Sequence, residues 1–150
     1  MYKIIASFFG VGFIKKGAGT AAAFIVCALL YMSVQLHVSS YSWLSFLAVL
    51  VLFTGVIASK EAERSWGKDS NKIVIDEVFG MIVSLLFLPI HLKTLITGFV
   101  LFRFFDIAKP LYIRRFENFK NGWGVMLDDL LAGVYANIVL QLLLLTGLLQ

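Results

Sequence analysis

Long apolar runs whose acidic residues sit only near their ends constrain this chain more than any other feature. The runs are about Thr20–Leu36, Tyr41–Ser59, Ile73–Ile90, Thr94–Ile107 and Val125–Leu149, broken by polar stretches at Lys60–Lys72 and Ala108–Gly124. Most match the roughly 20 apolar residues that cross a hydrocarbon core about 30 Å thick. Inside lipid each backbone amide must be satisfied within the chain, which selects helices for runs of this length. The chain is 60% hydrophobic and 15% charged over 150 residues, far from the composition of a soluble domain. The expectation is an all-α, polytopic membrane bundle of about five segments in one domain, residues 1–150. Met1–Ile14 is apolar but short, and no small-residue cleavage site follows it. It reads as an interfacial or re-entrant helix rather than a signal peptide.

The fourth run is short and carries Arg103, so it should face the bundle rather than lipid. Gly80, Gly98, Ala132 and Gly133 lie on spans, where small residues let helices approach closely. Cys27 stands alone inside the first run; with no partner for a disulfide, it reads as an inert thiol. The net charge of +4 is small and the basic residues lie between apolar runs. No dense basic patch joins accessible aromatics, which excludes a nucleic-acid reading. Membrane lipids are the expected surroundings, and no feature sets an oligomeric state.

Lys and Arg alternate between loops. Lys15 and Lys16 precede the first run, His37–Ser40 has none, and Lys60–Lys72 holds Lys60, Arg64, Lys68 and Lys72. Pro89–Lys93 has only Lys93, and the second polar stretch holds Lys109, Arg114, Arg115 and Lys120. The rich loops should be cytoplasmic, with the N-terminus inside and the C-terminus outside. That topology, drawn from Lys and Arg alone, brings Asp76-Glu77, Arg103, Asp106, Lys109, Asp128-Asp129 and Thr20 to one membrane depth at the cytoplasmic face. Glu61 and Glu63 read as solvated loop charges, and Trp66, Tyr112 and Trp123 as interface anchors.

Arg103, Asp106 and Lys109 are spaced by three, which makes neighbours of them on a helix, and Pro110 would help to end that helix. The five clustered carboxylates outnumber the two cations. A divalent cation is the simplest compensation; raised carboxyl pKa values are the competing one. Mg²⁺ suits an all-carboxylate set, whereas zinc draws on His and Cys; His37 and His91 read as ordinary loop residues. Metal, Arg and Lys together suit a phosphate monoester. Gly17-Ala18-Gly19-Thr20 opens the first run, where helix amides can face an anion; a plain helix start is the other reading. The chain lacks the Cys–Arg pairing of a cysteine phosphatase, the Asp-x-Asp of an aspartyl-phosphate enzyme and the Asp-Gly that opens the CDP-alcohol phosphotransferase motif.

Three blocks resemble the phosphatidylglycerophosphatase A family. They are Ile75-Asp76-Glu77-Val78-Phe79-Gly80-Met81, then Phe102-Arg103-Phe104-Phe105-Asp106-Ile107-Ala108-Lys109-Pro110, then Gly122-Trp123-Gly124-Val125-Met126-Leu127-Asp128-Asp129-Leu130-Leu131-Ala132-Gly133. Order and spacing agree from about Gly12 to Gly133. The resemblance implies a phosphoric monoester hydrolase of phospholipid biosynthesis. It would convert phosphatidylglycerophosphate to phosphatidylglycerol with Mg²⁺, at the bacterial inner membrane, with its site facing the cytoplasm. It implies Asp76, Glu77, Asp128 and Asp129 as metal ligands, Arg103 and Lys109 as phosphate-binding residues with Thr20 beside them, and Asp106 as a metal ligand or as the residue that orients Arg103. Two stretches depart from the family: Ala18-Gly19-Thr20-Ala21-Ala22-Ala23 lacks its Pro, second Gly and Ser, and Lys109-Pro110-Leu111-Tyr112 lacks its second Pro. The rival reading is a small cation or proton carrier, which would place its acids near the bilayer midplane.

Overall fold

A computed structural model describes residues 1–37, 41–68, 70–110, 113, 119 and 121–149, with only the backbone of Tyr41. The anchor expected at Tyr112 and the basic residues Arg114, Arg115 and Lys120 lie outside these. The described residues form helices and no strand. In chain order they are α1 (Tyr2–Ala6), a 3₁₀ turn (Val11–Phe13), α2 (Ala18–Gln35), α3 (Tyr41–Trp66), α4 (Ile75–Ser84), α5 (Leu92–Ala108) and α6 (Trp123–Leu145).

Among the described residues, three helices are long and apolar enough to cross a membrane: Ala18–Gln35, Ser42–Trp66 and Trp123–Leu145. The third apolar run behaves differently from the others. Its helix, α4, has 10 residues, or about 15 Å of rise, half of a hydrocarbon core. α5 has 17 residues, the lower limit for a crossing. Early termination of α4 leaves carbonyls that water cannot reach in lipid, and Asn137 of α6 answers that need. Its Nδ2 donates to the carbonyls of Val83 at 3.2 Å, Ser84 at 3.1 Å and Leu86 at 2.9 Å.

Packing follows the membrane pattern of small residues inside and large ones outside. Ala22, Ala23, Ala62, Ala132 and Ala136 are fully buried, while Phe24, Phe46, Phe53, Ile96 and Phe104 are exposed. α4 packs chiefly against α6, and α5 also lies on α6. The α4–α6 crossing is set by two glycines, as small residues on spans suggested. A Cβ on Gly133 would lie 2.5 Å from the Gly80 carbonyl oxygen, and one on Gly80 would lie 2.7 Å from the Asp129 carbonyl oxygen.

The first half of the polar stretch Lys60–Lys72 continues α3 to Trp66, so Glu61 and Glu63 are helical rather than loop residues. Glu61 pairs with Arg64 at 2.7 Å. Glu63 accepts the Gly122 amide at 3.2 Å, in front of α6. Gly122 has φ +76°, and a Cβ there would sit 2.5 Å from the Val56 carbonyl oxygen. Both constraints require glycine. The N-terminal segment is tied to the same end of the bundle: the Val74 amide donates to the Ala6 carbonyl at 2.9 Å. Lys3 and Lys72 lie 5.7 and 5.8 Å from the Trp66 ring, and Phe13 meets that ring edge-on. Cations, aromatics and exposed Phe9 and Ile14 give this short segment the make-up of an interfacial anchor.

Candidate active site

The crossing glycines explain how distant acids meet. Asp76 and Glu77 lie one helical turn before Gly80, and Asp129 lies one turn before Gly133. Because the backbones touch at those glycines, the preceding turns converge. One carboxylate oxygen each from Asp76, Glu77 and Asp129 lies within 4.8 Å of the others. Asp76 and Glu77 occupy the first turn of α4, where the helix dipole favours negative charge. The Asp76 carboxylate accepts the Glu77 amide at 3.1 Å, and Asp128 likewise accepts the Asp129 amide at 3.0 Å.

A cavity of about 250 Å³ opens at this point, lined by Asp76, Glu77, Arg103, Asp106, Lys109, Asp128 and Asp129. Seven of the eight residues singled out in the sequence thus share one space. The eighth, Thr20, is exposed and does not line it. Its neighbour Gly19 does bear on the site, since a Cβ there would fall 1.8 Å from Glu77 Oε1. Ser70 and Asn71 also line the cavity. Nothing in their residue types separates them from ordinary loop polarity.

The cations pair with Asp106 and Asp128, and Arg103 also reaches Glu77 of the triad. Arg103 Nη1 donates to Asp106 Oδ2 and lies 3.9 Å from Glu77 Oε1. Spacing placed Lys109 beside Asp106 on a continuing helix. Instead, α5 stops at Ala108, and Lys109 takes a left-handed conformation with φ 44° before Pro110. That turn carries its ammonium to Asp128 Oδ2 at 2.7 Å. Asp128, expected beside Asp129 as a metal ligand, is therefore engaged by Lys109 and falls outside the close triad.

The site is electrostatically incomplete. Asp129 is 3% exposed, and its Oδ2, like Glu77 Oε2 and Arg103 Nε, is buried without a hydrogen-bond partner. A buried polar atom left unpaired costs about 1–3 kcal/mol, and more when charged. Three crowded carboxylates, two of them with an unpaired oxygen, fit a hard divalent cation, which takes oxygen ligands.

Comparison with known proteins bears on the chain as a whole. The phosphatidylglycerophosphatase A family pattern matches residues 4–144. The chain belongs to the phosphatidylglycerophosphatase A family. It is thereby a phosphatase, a phosphoric monoester hydrolase. A relative from Bacteroides thetaiotaomicron, named "Putative phosphatidylinositol-3-phosphatase", is 39% identical over 143 residues, covering 91% of this chain and 89% of the relative. A Haemophilus influenzae phosphatidylglycerophosphatase A is 36% identical over 91% of this chain and 84% of its own length. The Escherichia coli phosphatidylglycerophosphatase A is 32% identical over 89% of this chain and 77% of its own length. No solved structure matches the chain.

Proposed function

We propose that this protein is a Mg²⁺-dependent phosphatase that hydrolyses phosphatidylglycerophosphate to phosphatidylglycerol and phosphate, with its site at the cytoplasmic face of the bacterial inner membrane. The observation that carries the reading is the cavity itself. It joins a carboxylate triad with unpaired oxygens to two cations, next to the N-terminal segment and the start of α4 rather than midway along the spans. A carrier would need its acids near the midplane.

Asp76, Glu77 and Asp129 would hold the metal. Mg²⁺ held there would supply positive charge beside the phosphoryl oxygens and assist activation of the attacking water. The remaining residues position the phosphate. Arg103 offers a planar fork of donors suited to phosphoryl oxygens, and Asp106 fixes its orientation. Lys109 adds a point charge, held in place by Asp128. Hydrolysis breaks the phosphorus–oxygen ester bond and adds water across it: the water oxygen ends on phosphorus, and a proton from the water goes to the departing glycerol oxygen, which leaves as a hydroxyl. The acyl chains stay in the bilayer while the headgroup enters the polar cavity.

A second reading, a phosphoinositide phosphatase, is favoured by the name of the 39% identical relative. One assay separates the two: phosphate release by detergent-purified protein from phosphatidylglycerophosphate, phosphatidylinositol-3-phosphate and phosphatidic acid, each with Mg²⁺ or EDTA. Fastest release from phosphatidylglycerophosphate, abolished by EDTA, is the expected result. Preference for the inositol lipid would replace the substrate assignment. No release from any lipid by folded protein would overturn the phosphatase chemistry.

A further inference from the structure

An apolar groove of about 480 Å³ runs between α2 and α5, with Phe24, Cys27 and Tyr31 on one wall and Ile96, Phe99 and Val100 on the other. Its floor is buried at Cys27 and Leu95, while Phe24, Ile96 and Val100 on its rims are 62%, 57% and 58% exposed. Helical register ties this groove to the polar cavity. With 3.6 residues per turn, Ile96, Val100 and Arg103 lie on one face of α5, as do Tyr31, Phe24 and Thr20 on α2. One turn beyond the groove's end, its two walls therefore present Arg103 and Thr20.

A second apolar groove of about 430 Å³ lies on the other side of α2, between α3 and α4, but Ile5, Phe8 and Phe9 line it as well. Those residues belong to the N-terminal segment, which is bonded to the start of α4 through Ala6 and Val74. They cover the second groove at the end where the acids lie.

Resting on the phosphatase reading, we propose that the α2–α5 groove holds one acyl chain of the lipid substrate, with Thr20 at the passage from chain to headgroup. Charge complementarity selects the occupant. A lipid with a phosphate monoester can place its terminal, up to doubly charged anion at Arg103 while its chain descends the same helical face; a zwitterionic lipid offers only a singly charged phosphodiester offset by its own ammonium, a weaker anchor. Thr20 is then a positioning residue at the headgroup boundary rather than a wall of the metal cavity.

The test uses the full chain in nanodiscs and two photoreactive lipids carrying a diazirine at mid-chain. One is a phosphonate analogue of phosphatidic acid, which cannot be hydrolysed; the other is phosphatidylcholine. Cross-linked residues are mapped by mass spectrometry. The phosphonate probe should label Phe24–Tyr31 and Ile96–Val100 about tenfold more than the phosphatidylcholine probe, the scale of one charge-assisted hydrogen-bonded contact. Arg103→Ala should reduce that labelling to the phosphatidylcholine level, and so should filling the groove with Ala28→Trp, while Leu29→Trp in the second groove should not. Equal labelling by both probes, labelling centred on the second groove, or cross-linking to a second copy of the chain would overturn the proposal. The wild-type comparison of probes does not depend on any variant folding. Selective labelling by a protein that releases no phosphate from any lipid would sink the phosphatase reading and leave the groove assignment standing. Equal labelling of an active enzyme would sink the groove assignment alone.

Discussion

Two polar sites lie inside this apolar bundle, both on α4 and α6, and they are built on opposite rules. At the C-terminal end of α4, the Asn137 amide nitrogen donates to three carbonyls and its oxygen accepts from Gln141 at 2.6 Å. At the N-terminal end, Asp129, Glu77 and Arg103 keep buried atoms with no partner. The first is closed and gives up nothing to a ligand. The second carries an excess of negative charge and open coordination, a cost that folding alone does not offset. On the proposed reading, the difference separates a polar group that holds the fold from one suited to a cation and a phosphate.

Substitutions should separate the two sites. Asp129→Asn removes charge from the triad with little change in shape, and kcat should fall by about 10²–10³-fold, the scale of losing one preorganised electrostatic group. Its thermal midpoint in EDTA should not drop, which circular dichroism can check. Gly19→Val places a Cβ where Glu77 Oε1 now sits. Activity should fall about 10–100-fold, the range for mispositioned support of a metal site. Wild-type turnover in that variant would show that Glu77 can move without consequence. Asn137→Leu should do the reverse, destabilising the protein by about 1–3 kcal/mol through orphaned carbonyls, as read by chemical denaturation in detergent, while turnover per folded molecule is retained. A large loss of turnover with unchanged stability would erase the contrast between the sites. The smallest effect is expected at Lys3→Ala, whose contact with Trp66 is worth about 0.5–1 kcal/mol. Vesicle-binding and activity assays should both remain near wild type.

Much of the site was legible because charge in a membrane segment is costly and therefore informative. Acids confined to the ends of apolar runs, together with alternating Lys and Arg, placed eight residues at one depth, and the structure brings seven of them, all but Thr20, into one cavity. Gly80 and Gly133 were legible as contact points for the same reason, since small residues on spans permit close approach. Interactions that depend on backbone termination were not legible. The early end of α4 is accommodated by Asn137, and one Asn within an apolar run does not announce which carbonyls it will meet. The partner of Lys109 depended on a left-handed turn before Pro110, which spacing along a helix cannot anticipate. Glu63 read as a solvated charge because its partner, the Gly122 amide, is 59 residues away.

The central claim is that the triad at the α4–α6 crossing is a cation site rather than a structural cluster. Calorimetric titration of Mg²⁺ into nanodisc-embedded wild type and Asp129→Asn addresses it directly. The account predicts saturable binding to the wild type and loss of that binding in the variant, with both proteins folded. Equal binding by both proteins, or none by an active wild type, would contradict it.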